Sequence, residues 1–219
     1  MAGVFITFEG IDGCGKSTQL RLLASELRVR GLSVLATREP GGTPLGQRLR
    51  AALLDVDEQV DPLTELLVFA ADRAQHVRNC LLPALETGQI VLSDRYADAT
   101  VAYQGAGRGF EPELIQGIVQ LATGGLQPDL TLLFDLSVPE SAVRTRRRVA
   151  AKNTDRLDIE NSEFHTRVRD AYLEIARTNP ERIRVIDARG AVQETHGAVL
   201  DIVIPFLKER GLMEQGAES

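Results

Sequence analysis

The stretch of sequence that decides the fold reads Gly10-Ile11-Asp12-Gly13-Cys14-Gly15-Lys16-Ser17, with Thr18 directly after it. Its spacing of glycine, lysine and serine is that of a phosphate-binding loop. The glycines let backbone N–H groups turn inward around phosphate oxygens, and a helix that starts here directs its positive dipole end at the same anions. Lys16 adds a full charge, and the Ser17 hydroxyl is placed to ligate a Mg²⁺ ion between two phosphates. The residues from Gly10 to Thr18 are therefore predicted to bind a nucleoside triphosphate.

Five short runs rich in β-branched and aromatic residues predict buried parallel strands. They are residues 4–9, 33–38, 90–94, 130–135 and 184–187. Apolar residues at helical spacing lie between these runs, as between Leu20 and Leu27. Because strands that alternate with helices form βαβ crossovers, the pattern predicts an α/β fold with a five-stranded, mostly parallel sheet and helices on both faces.

Each predicted strand finishes on charged residues. These ends are Glu9, Arg38-Glu39, Asp94-Arg95, Asp135 and Asp187. Since ligands bind outside the carboxyl ends of the strands in open α/β sheets, we expect several of these groups to converge on one polar site. The competing interpretation is that strand ends are simply solvated, which accounts for one or two such residues more easily than for all of them.

The composition is that of a globular protein with one core. A length of 219 residues suits one buried α/β core, so residues 1–219 are expected to form a single domain. The net charge of -6 argues against a nucleic-acid partner, because such affinity comes largely from a basic surface. No apolar run approaches the roughly 18 residues that cross a bilayer. The opening residues also lack the basic start of a secretion signal, so we expect no membrane partner and a cytoplasmic location.

Cysteine and histidine do not form a metal-binding pattern. The two cysteines, Cys14 and Cys80, are too few for a disulfide scaffold, and His76, His165 and His196 are scattered. The histidines are expected to be solvated or structural. Cys14 lies near the start of a helix, an environment that lowers a thiol's pKa, so it is expected to be sensitive to oxidants.

Three further stretches are informative in combination with the loop. They read Arg38-Glu39-Pro40-Gly41-Gly42-Thr43, Asp94-Arg95-Tyr96 and Ala102-Tyr103-Gln104-Gly105-Ala106-Gly107-Arg108-Gly109. In order and spacing the chain resembles the bacterial thymidylate kinases, and residues 155–160 resemble the end of that family's lid. The resemblance covers essentially the whole chain. It implies a P-loop kinase fold and the transfer of a phosphoryl group from ATP to dTMP, giving ADP and dTDP for dTTP biosynthesis.

The loop by itself leaves other functions open. A regulatory GTPase usually reads guanine through an Asn-Lys-x-Asp stretch, which this sequence lacks. A kinase of the same architecture that acts on another nucleoside monophosphate, or on a free deoxynucleoside, is the main enzymatic alternative. A P-loop nucleotide switch is the alternative that is not an enzyme.

The resemblance assigns the phosphate and sugar contacts. Arg95 is expected to grip the acceptor phosphate, for which a guanidinium fork is suited. Asp94 is expected to help Ser17 organise Mg²⁺ and its waters. Asp12 would accept a hydrogen bond from the sugar 3′-hydroxyl, and Tyr103 would pack where a ribose 2′-hydroxyl would lie. The alternative for Asp94 and Arg95 is a structural ion pair at a strand end.

The resemblance also assigns the base pocket to the helix predicted for residues 62–75. Phe69 and Arg73 lie four residues apart and so project from one face of that helix. Phe69 would stack on thymine and Arg73 would donate to its O4, while Thr100 and Gln104 address the N3 edge. Glu39 is expected to be a second carboxylate on the acceptor side. From residues alone, a core position for Phe69 is the alternative.

Residues 144–156 are predicted to form a basic lid. They include six basic residues and a single acid, in a chain that is acidic as a whole. Positive charge closing over the γ-phosphoryl group would stabilise the transition state and exclude water. Because Gly13 stands where some family members place a loop arginine, the chain resembles the type in which the lid supplies it. Arg148 is our first choice and Arg144 the second, and a solvated basic helix is the alternative.

Catalytic roles are therefore expected for Lys16, Asp12, Arg95 and Arg148. The resemblance alone further implies a homodimer packed through helices.

Overall fold

The computed structural model describes residues 3–54, 59–149 and 160–213, and a parallel sheet lies at its centre. The strands are β1 Val4–Glu9, β2 Val34–Arg38, β3 Ile90–Asp94, β4 Leu130–Asp135 and β5 Ile183–Asp187. They pair in the order β2-β3-β1-β4-β5, every pair being parallel. The predicted sheet is confirmed, with only β2 and β5 starting one residue away from the expected positions.

Helices connect the strands. They are α1 Lys16–Val29, α2 Pro44–Leu54, α3 Pro62–His76, α4 Leu82–Glu86, α5 Ala97–Thr100, α6 Pro112–Thr123, α7 Val138–Val149, α8 Ser162–Thr178 and α9 Val192–Glu209. Two π-helical segments, Val77–Leu81 and Val101–Gly107, continue α3 and α5. The predicted base-pocket helix is thus α3, which ends one residue later than expected. No helix within the described ranges is long and apolar enough to cross a membrane.

The strand β1 forms the centre of two packed layers because its side chains are buried on both faces. Ile6 and Phe8 belong to a core shared with α1 and α9, which contribute Leu23 and Val203. Phe5 points to the opposite layer, where it meets Tyr96 edge-on. Helices therefore cover both faces of the sheet, as the sequence pattern predicts.

The strand order brings the functional segments to one edge. The central strand β1 pairs with β3 on one side and with β4 on the other. The strand order therefore reverses direction at β1, which makes a topological switch point at the carboxyl ends of these strands. The loop Gly10–Gly15 follows β1 at this point, and Arg95 directly follows β3. Arg95 has a φ of 73°, a left-handed conformation that is strained for a residue with a side chain.

Gly13 shows why the loop must stay small at one position. Its φ is 76°, and a Cβ atom there would lie 2.9 Å from the Ser141 carbonyl oxygen and 2.9 Å from Thr145 Oγ1. Both neighbours belong to α7. The first part of α7 therefore packs directly against the phosphate loop, and a loop arginine at this position would collide with it.

Candidate active site

One cavity at the carboxyl edge of the sheet collects the predicted side chains. Its lining includes Asp12, Lys16, Ser17, Glu39, Phe69, Arg73, Asp94, Arg95, Thr100, Tyr103 and Gln104. They come from the phosphate loop, from the ends of β2 and β3, from α3, and from α5 with its π-helical continuation. Residues as far apart in sequence as Asp12 and Gln104 thus face the same space.

The phosphate loop leads into α1, which starts at Lys16. The side chain of Lys16 is buried, with Nζ donating to the Ile11 carbonyl at 3.4 Å and lying 3.8 Å from Asp12 Oδ1. Ile11 and Cys14 turn their own side chains into the protein core. Their backbone N–H groups therefore stay available to phosphates, as do those of Gly10, Gly13, Gly15 and Thr18.

The prediction for the Cys14 thiol is wrong. The expectation of a lowered pKa assumed an accessible sulfur at a helix start, but only 2% of Cys14 is exposed. Burial raises the pKa of this thiol, and it outweighs the lowering effect of Lys16. A buried neutral thiol is inert, so the structure gives no basis for oxidant sensitivity at this cysteine.

Arg95 joins the loop to the end of β3. Its Nη2 donates to Asp12 Oδ1 at 2.8 Å and to the Tyr103 hydroxyl at 2.8 Å, and that hydroxyl donates to Asp12 Oδ2 at 2.8 Å. The guanidinium also lies over the Tyr103 ring, 4.5 Å from its centroid. Burial opposes the charge of Arg95, but the surrounding oxygens raise its pKa above the ordinary value, so it stays positive.

Glu9 and Tyr172 hold the Arg95 guanidinium on the side away from Asp12. Tyr172 donates to Glu9 Oε2 at 2.7 Å and accepts from Arg95 Nη1 at 3.3 Å, while the Tyr96 backbone N–H donates to Glu9 Oε1 at 2.7 Å. Burial and the nearby Asp98 charge raise the pKa of Glu9 to about 8, against the opposing effect of Arg95. The sequence marked Glu9 as a polar strand end, but it gave no signal for Tyr172.

A second buried network surrounds Glu39. Arg73 donates through Nε to Glu39 Oε2 at 2.8 Å, through Nη1 to Thr100 Oγ1 at 2.7 Å, and through Nη2 to the Tyr96 carbonyl at 2.8 Å. His76 bonds Glu39 Oε1 through Nδ1 at 2.8 Å. Glu39 therefore orients Arg73 in addition to lining the cavity, which the sequence did not indicate.

His76 is the residue that completes this network. Its Nε2 meets Thr37 Oγ1 at 2.8 Å, so both ring nitrogens are engaged in a site that excludes solvent. Burial alone would lower the pKa of His76, but hydrogen bonds with Cys80 and Glu39 and the charge of Glu39 raise it to about 9. The imidazole is thus charged at neutral pH, and its expected structural role is confirmed.

Phe69 is both a core residue and a cavity residue. It is half-buried and packs against the core that contains Leu53 and Tyr103, yet it also lines the cavity one helical turn from Arg73. A ring held by the core on one side is well suited to stack a planar base on the other.

The metal ligands predicted at Ser17 and Asp94 meet directly. The Ser17 hydroxyl donates to Asp94 Oδ2, which links the start of α1 to the end of β3. One hydroxyl and one carboxylate fit Mg²⁺, since this ion commonly binds one or two protein oxygens and takes its other ligands from phosphates and water. Within the described part of the chain, no cluster of three or more His, Cys, Asp or Glu residues could hold a metal alone.

Six of the residues that line the cavity had no site role assigned from the sequence, and three of these are charged: Arg38, Arg50 and Asp72. Arg38 and Arg50 bring two more positive charges to the lining, and Asp72 accepts from the Gly41 backbone N–H at 3.1 Å. Arg38 is one of the charged strand ends that were expected to converge on a polar site, although no individual role was assigned to it there. Arg50 and Asp72 lie inside helices with no local pattern to distinguish them from surface charges.

The predicted lid lies only partly within the described residues. Arg144 is described, and its Cβ atom lies beside the position that a Cβ at Gly13 would occupy. Its Nη2 donates to the Arg189 carbonyl at 3.4 Å. The backbone at position 148 is one helical turn further along α7, but the Arg148 side chain and residues 150–156 lie outside the described part of the chain.

Comparisons with known proteins agree with the fold. The sequence profile of the family described as Thymidylate kinase matches residues 8–199. A thymidylate kinase from Geotalea uraniireducens is 47% identical over 211 residues, covering 94% of this chain and 99% of the relative. One from Geobacter sp. strain M21 is 50% identical over 197 residues, covering 88% of each chain. The crystal structure of thymidylate kinase from Ehrlichia chaffeensis has a TM-score of 0.76 and 36% identity, covering 93% of this chain and all of that one.

The His76 network predicts a particular dependence of stability on pH. A folded-state pKa of about 9, above the ordinary 6.5, means that the charged imidazole stabilises the fold below pH 6.5 and that this stabilisation is lost as pH rises through about 9. We expect the free energy of unfolding of the native protein to exceed that of His76→Gln most at about pH 6, with the difference shrinking towards about pH 10. Urea unfolding of both proteins across this range measures it. Because Glu9 titrates in both, its contribution cancels in the difference.

The matched control is His196→Gln. Burial lowers the pKa of His196, so its contribution should not decrease as pH rises above 6.5. A His76→Gln difference that stays constant or grows with pH would contradict the assignment of a buried imidazolium.

Proposed function

The chain belongs to the thymidylate kinase family and catalyses the ATP-dependent phosphorylation of dTMP to dTDP, and we propose that it does so in the cavity between Lys16 and Gln104. The observation that carries this proposal is that the phosphate loop and the predicted acceptor residues line one space. Phosphoryl transfer requires donor and acceptor phosphates to meet in line, and two separate pockets could not achieve this. The relatives give no support to the nucleotide switch or to another acceptor.

ATP would occupy the loop from Gly10 to Thr18. Backbone N–H groups and the start of α1 would hold its phosphates. Lys16 would supply a positive charge, and because this side chain is buried, its attraction to the phosphates would be stronger than in water. Mg²⁺ is the proposed cofactor, held by Ser17 with help from Asp94. When bound, it would neutralise charge on the β- and γ-phosphates.

The phosphate of dTMP would bind Arg95. Three hydrogen bonds fix this guanidinium at the loop edge, which leaves other N–H groups to donate to phosphate oxygens. Neutralising the acceptor lets one of its oxygens approach the γ-phosphorus, form the new P–O bond and displace ADP. Arg38 and Arg50 add positive charge to the same lining. Asp12 would accept from the 3′-hydroxyl, and Tyr103 would close the space that a ribose 2′-hydroxyl needs.

Thymine would bind between Phe69 and the Arg73 network. Arg73 is proposed to donate to O4, and its three bonds to Glu39, Thr100 and Tyr96 explain how the guanidinium is held in place. Thr100 accepts from Arg73, so its own O–H is left to donate to the base. Cytosine presents an amino group where thymine has O4, and a donor would then face a donor.

Residues 1–219 are proposed to form a single domain with a lid at about residues 144–156. From this lid, Arg148 is proposed to stabilise the charge on the phosphoryl group during its transfer. The contact of α7 with Gly13 supports this role because it brings the start of the basic run to the loop.

The proposed location is the cytoplasm, in keeping with the free thiols of Cys14 and Cys80.

The lid proposal predicts the kinetics of Arg148→Ala. Because the arginine acts on the transition state, kcat should fall by roughly 10³-fold or more while KM for dTMP changes little. Steady-state kinetics with ATP and dTMP measure both. The matched control is Arg146→Ala, whose kcat should be unchanged. Arg146 is an exposed residue of the same helix and, within the described ranges, donates to the Ala142 carbonyl of that helix. An unchanged kcat in Arg148→Ala, with a large loss in Arg144→Ala, would move the role to Arg144.

A homodimer is proposed from an apolar stripe on two adjacent helices. Leu63 and Leu67 on α3 are exposed, as are Leu114 and Leu121 on α6, which packs beside α3. Their spacings of four and seven residues place each pair on one helix face. A second copy of the chain would cover this stripe and remove it from water.

The dimer predicts that Leu121→Glu dissociates the protein. Leu121 is 78% exposed in the single chain, so the charge should be tolerated in the monomer but would be buried in the dimer. Sedimentation should give twice 23.9 kDa for the native protein and 23.9 kDa for the variant. Val29→Glu, at an 82% exposed valine on α1, should remain dimeric. A native protein that sediments as a monomer would contradict the proposal.

A further inference from the structure

A buried carboxylate lies directly behind the base pocket. Glu65 on α3 is completely buried, and its Oε1 accepts from Gln104 Nε2 at 2.9 Å. Arg108 donates to the same carboxylate through Nε at 3.1 Å and through Nη2 at 2.9 Å. Gln104 is itself 2% exposed, yet it lines the cavity that the other base-pocket residues share. Glu65 thus touches a cavity residue without lining the cavity.

The carboxylate determines which way the Gln104 amide points. A glutamine side chain has an amino end that donates and a carbonyl end that accepts, and the two ends have nearly the same shape. Both oxygens of this carboxylate already accept from Arg108, so it acts as an acceptor and the amino end of Gln104 must face it. Among the described residues nothing donates to Gln104 Oε1, which leaves the carbonyl end to the cavity.

Arg108 holds this carboxylate in place. It binds Glu65 with two N–H groups, binds Glu160 Oε1 through Nη1 at 2.7 Å, and lies 4.8 Å from the centroid of the Phe164 ring. Burial opposes the charge of Arg108, but the two carboxylates raise its pKa above the ordinary value. A bidentate arginine pair of this kind has little freedom to rotate.

We infer that Glu65 is a positioning residue that sets base specificity by fixing the Gln104 amide with its carbonyl oxygen towards the N3 edge of the base. The inference rests on the proposed placement of thymine beside Gln104. Thymine carries a hydrogen on N3 and so donates to a fixed carbonyl oxygen. Cytosine has an unprotonated N3, and an acceptor would face an acceptor. Arg73 would donate to O4 and Gln104 would accept from N3, so two neighbouring positions on the base edge meet protein groups of opposite polarity.

Replacing the carboxylate by an amide tests this inference. In Glu65→Gln the new side chain can donate to Gln104 as well as accept, so the Gln104 amide can turn its amino end to the cavity. We expect the ratio of kcat/KM for dTMP to that for dCMP to fall by roughly ten- to a hundredfold, mainly through a higher KM for dTMP. Steady-state kinetics with both acceptors measure it. The matched control is Glu174→Gln, an exposed carboxylate paired with Arg177, which should leave the ratio unchanged.

A purely structural role for Glu65 would lower stability or activity with both acceptors and leave their ratio unchanged, and that result would overturn the inference. The double variant Glu65→Gln/Gln104→Glu guards against a folding defect, because it exchanges the carboxylate and the amide between the two contacting positions and keeps an acceptor facing the base. It should recover most of the ratio, with thermal unfolding recorded for each protein. A double variant that folds but keeps the low ratio of Glu65→Gln would also overturn the inference.

Gln104→Leu separates this inference from the proposed function. If Gln104→Leu lowers the ratio and Glu65→Gln does not, Gln104 reads the base without help from Glu65, and only the inference fails. If Gln104→Leu leaves the ratio and the KM for dTMP unchanged, the placement of thymine beside Gln104 is wrong, and the inference fails with it.

Discussion

The contact between Arg95 and Asp12 is the interaction on which the site depends. It joins the phosphate loop after β1 to the end of β3 at 2.8 Å, and Tyr103 bonds both partners. Arg95 makes this contact from a left-handed backbone conformation, which costs on the order of 1–3 kcal/mol and persists only where the surroundings fix it. The buried Glu9 and Tyr172 are those surroundings. The part of the cavity at the phosphate loop and the part at the end of β3 are thereby held in one geometry.

The same arrangement occurs three times around the cavity. Each time an arginine binds a carboxylate from a different segment of the chain: Asp12 with Arg95, Glu39 with Arg73 and Glu65 with Arg108. Buried ion pairs contribute little net stability, because desolvation offsets most of the attraction, but removing one partner leaves an uncompensated charge. Their value here is orientation. Each pair fixes hydrogen-bonding groups at or directly behind the cavity that is proposed to bind the substrate, and that substrate differs from its competitors by single donors and acceptors.

The sequence predicted the parts of the protein that follow from local pattern. The phosphate loop and the strands are regular motifs, and the strand ends Asp94 and Arg95 fall in the cavity because parallel strands share one edge. Residues that act through long-range pairing left no such signal. Glu65 and Arg50 look like ordinary helix charges, and Cys14 looked reactive because its burial depends on α1, α9 and the sheet closing around it. The roles of individual substrate-binding residues and the lid arginine stay predictions.

The central claim is that these paired charges build a site for a thymidine monophosphate and for little else. The most direct measurement is ADP formation from ATP and Mg²⁺ with each of dTMP, dUMP, CMP, AMP and thymidine as the acceptor. The account predicts rapid turnover with dTMP, less with dUMP, and almost none with the other three, because each of those lacks either the O4 and N3 pattern or the acceptor phosphate. Strong turnover with CMP or thymidine, or slow ATP hydrolysis that no monophosphate changes, would contradict it.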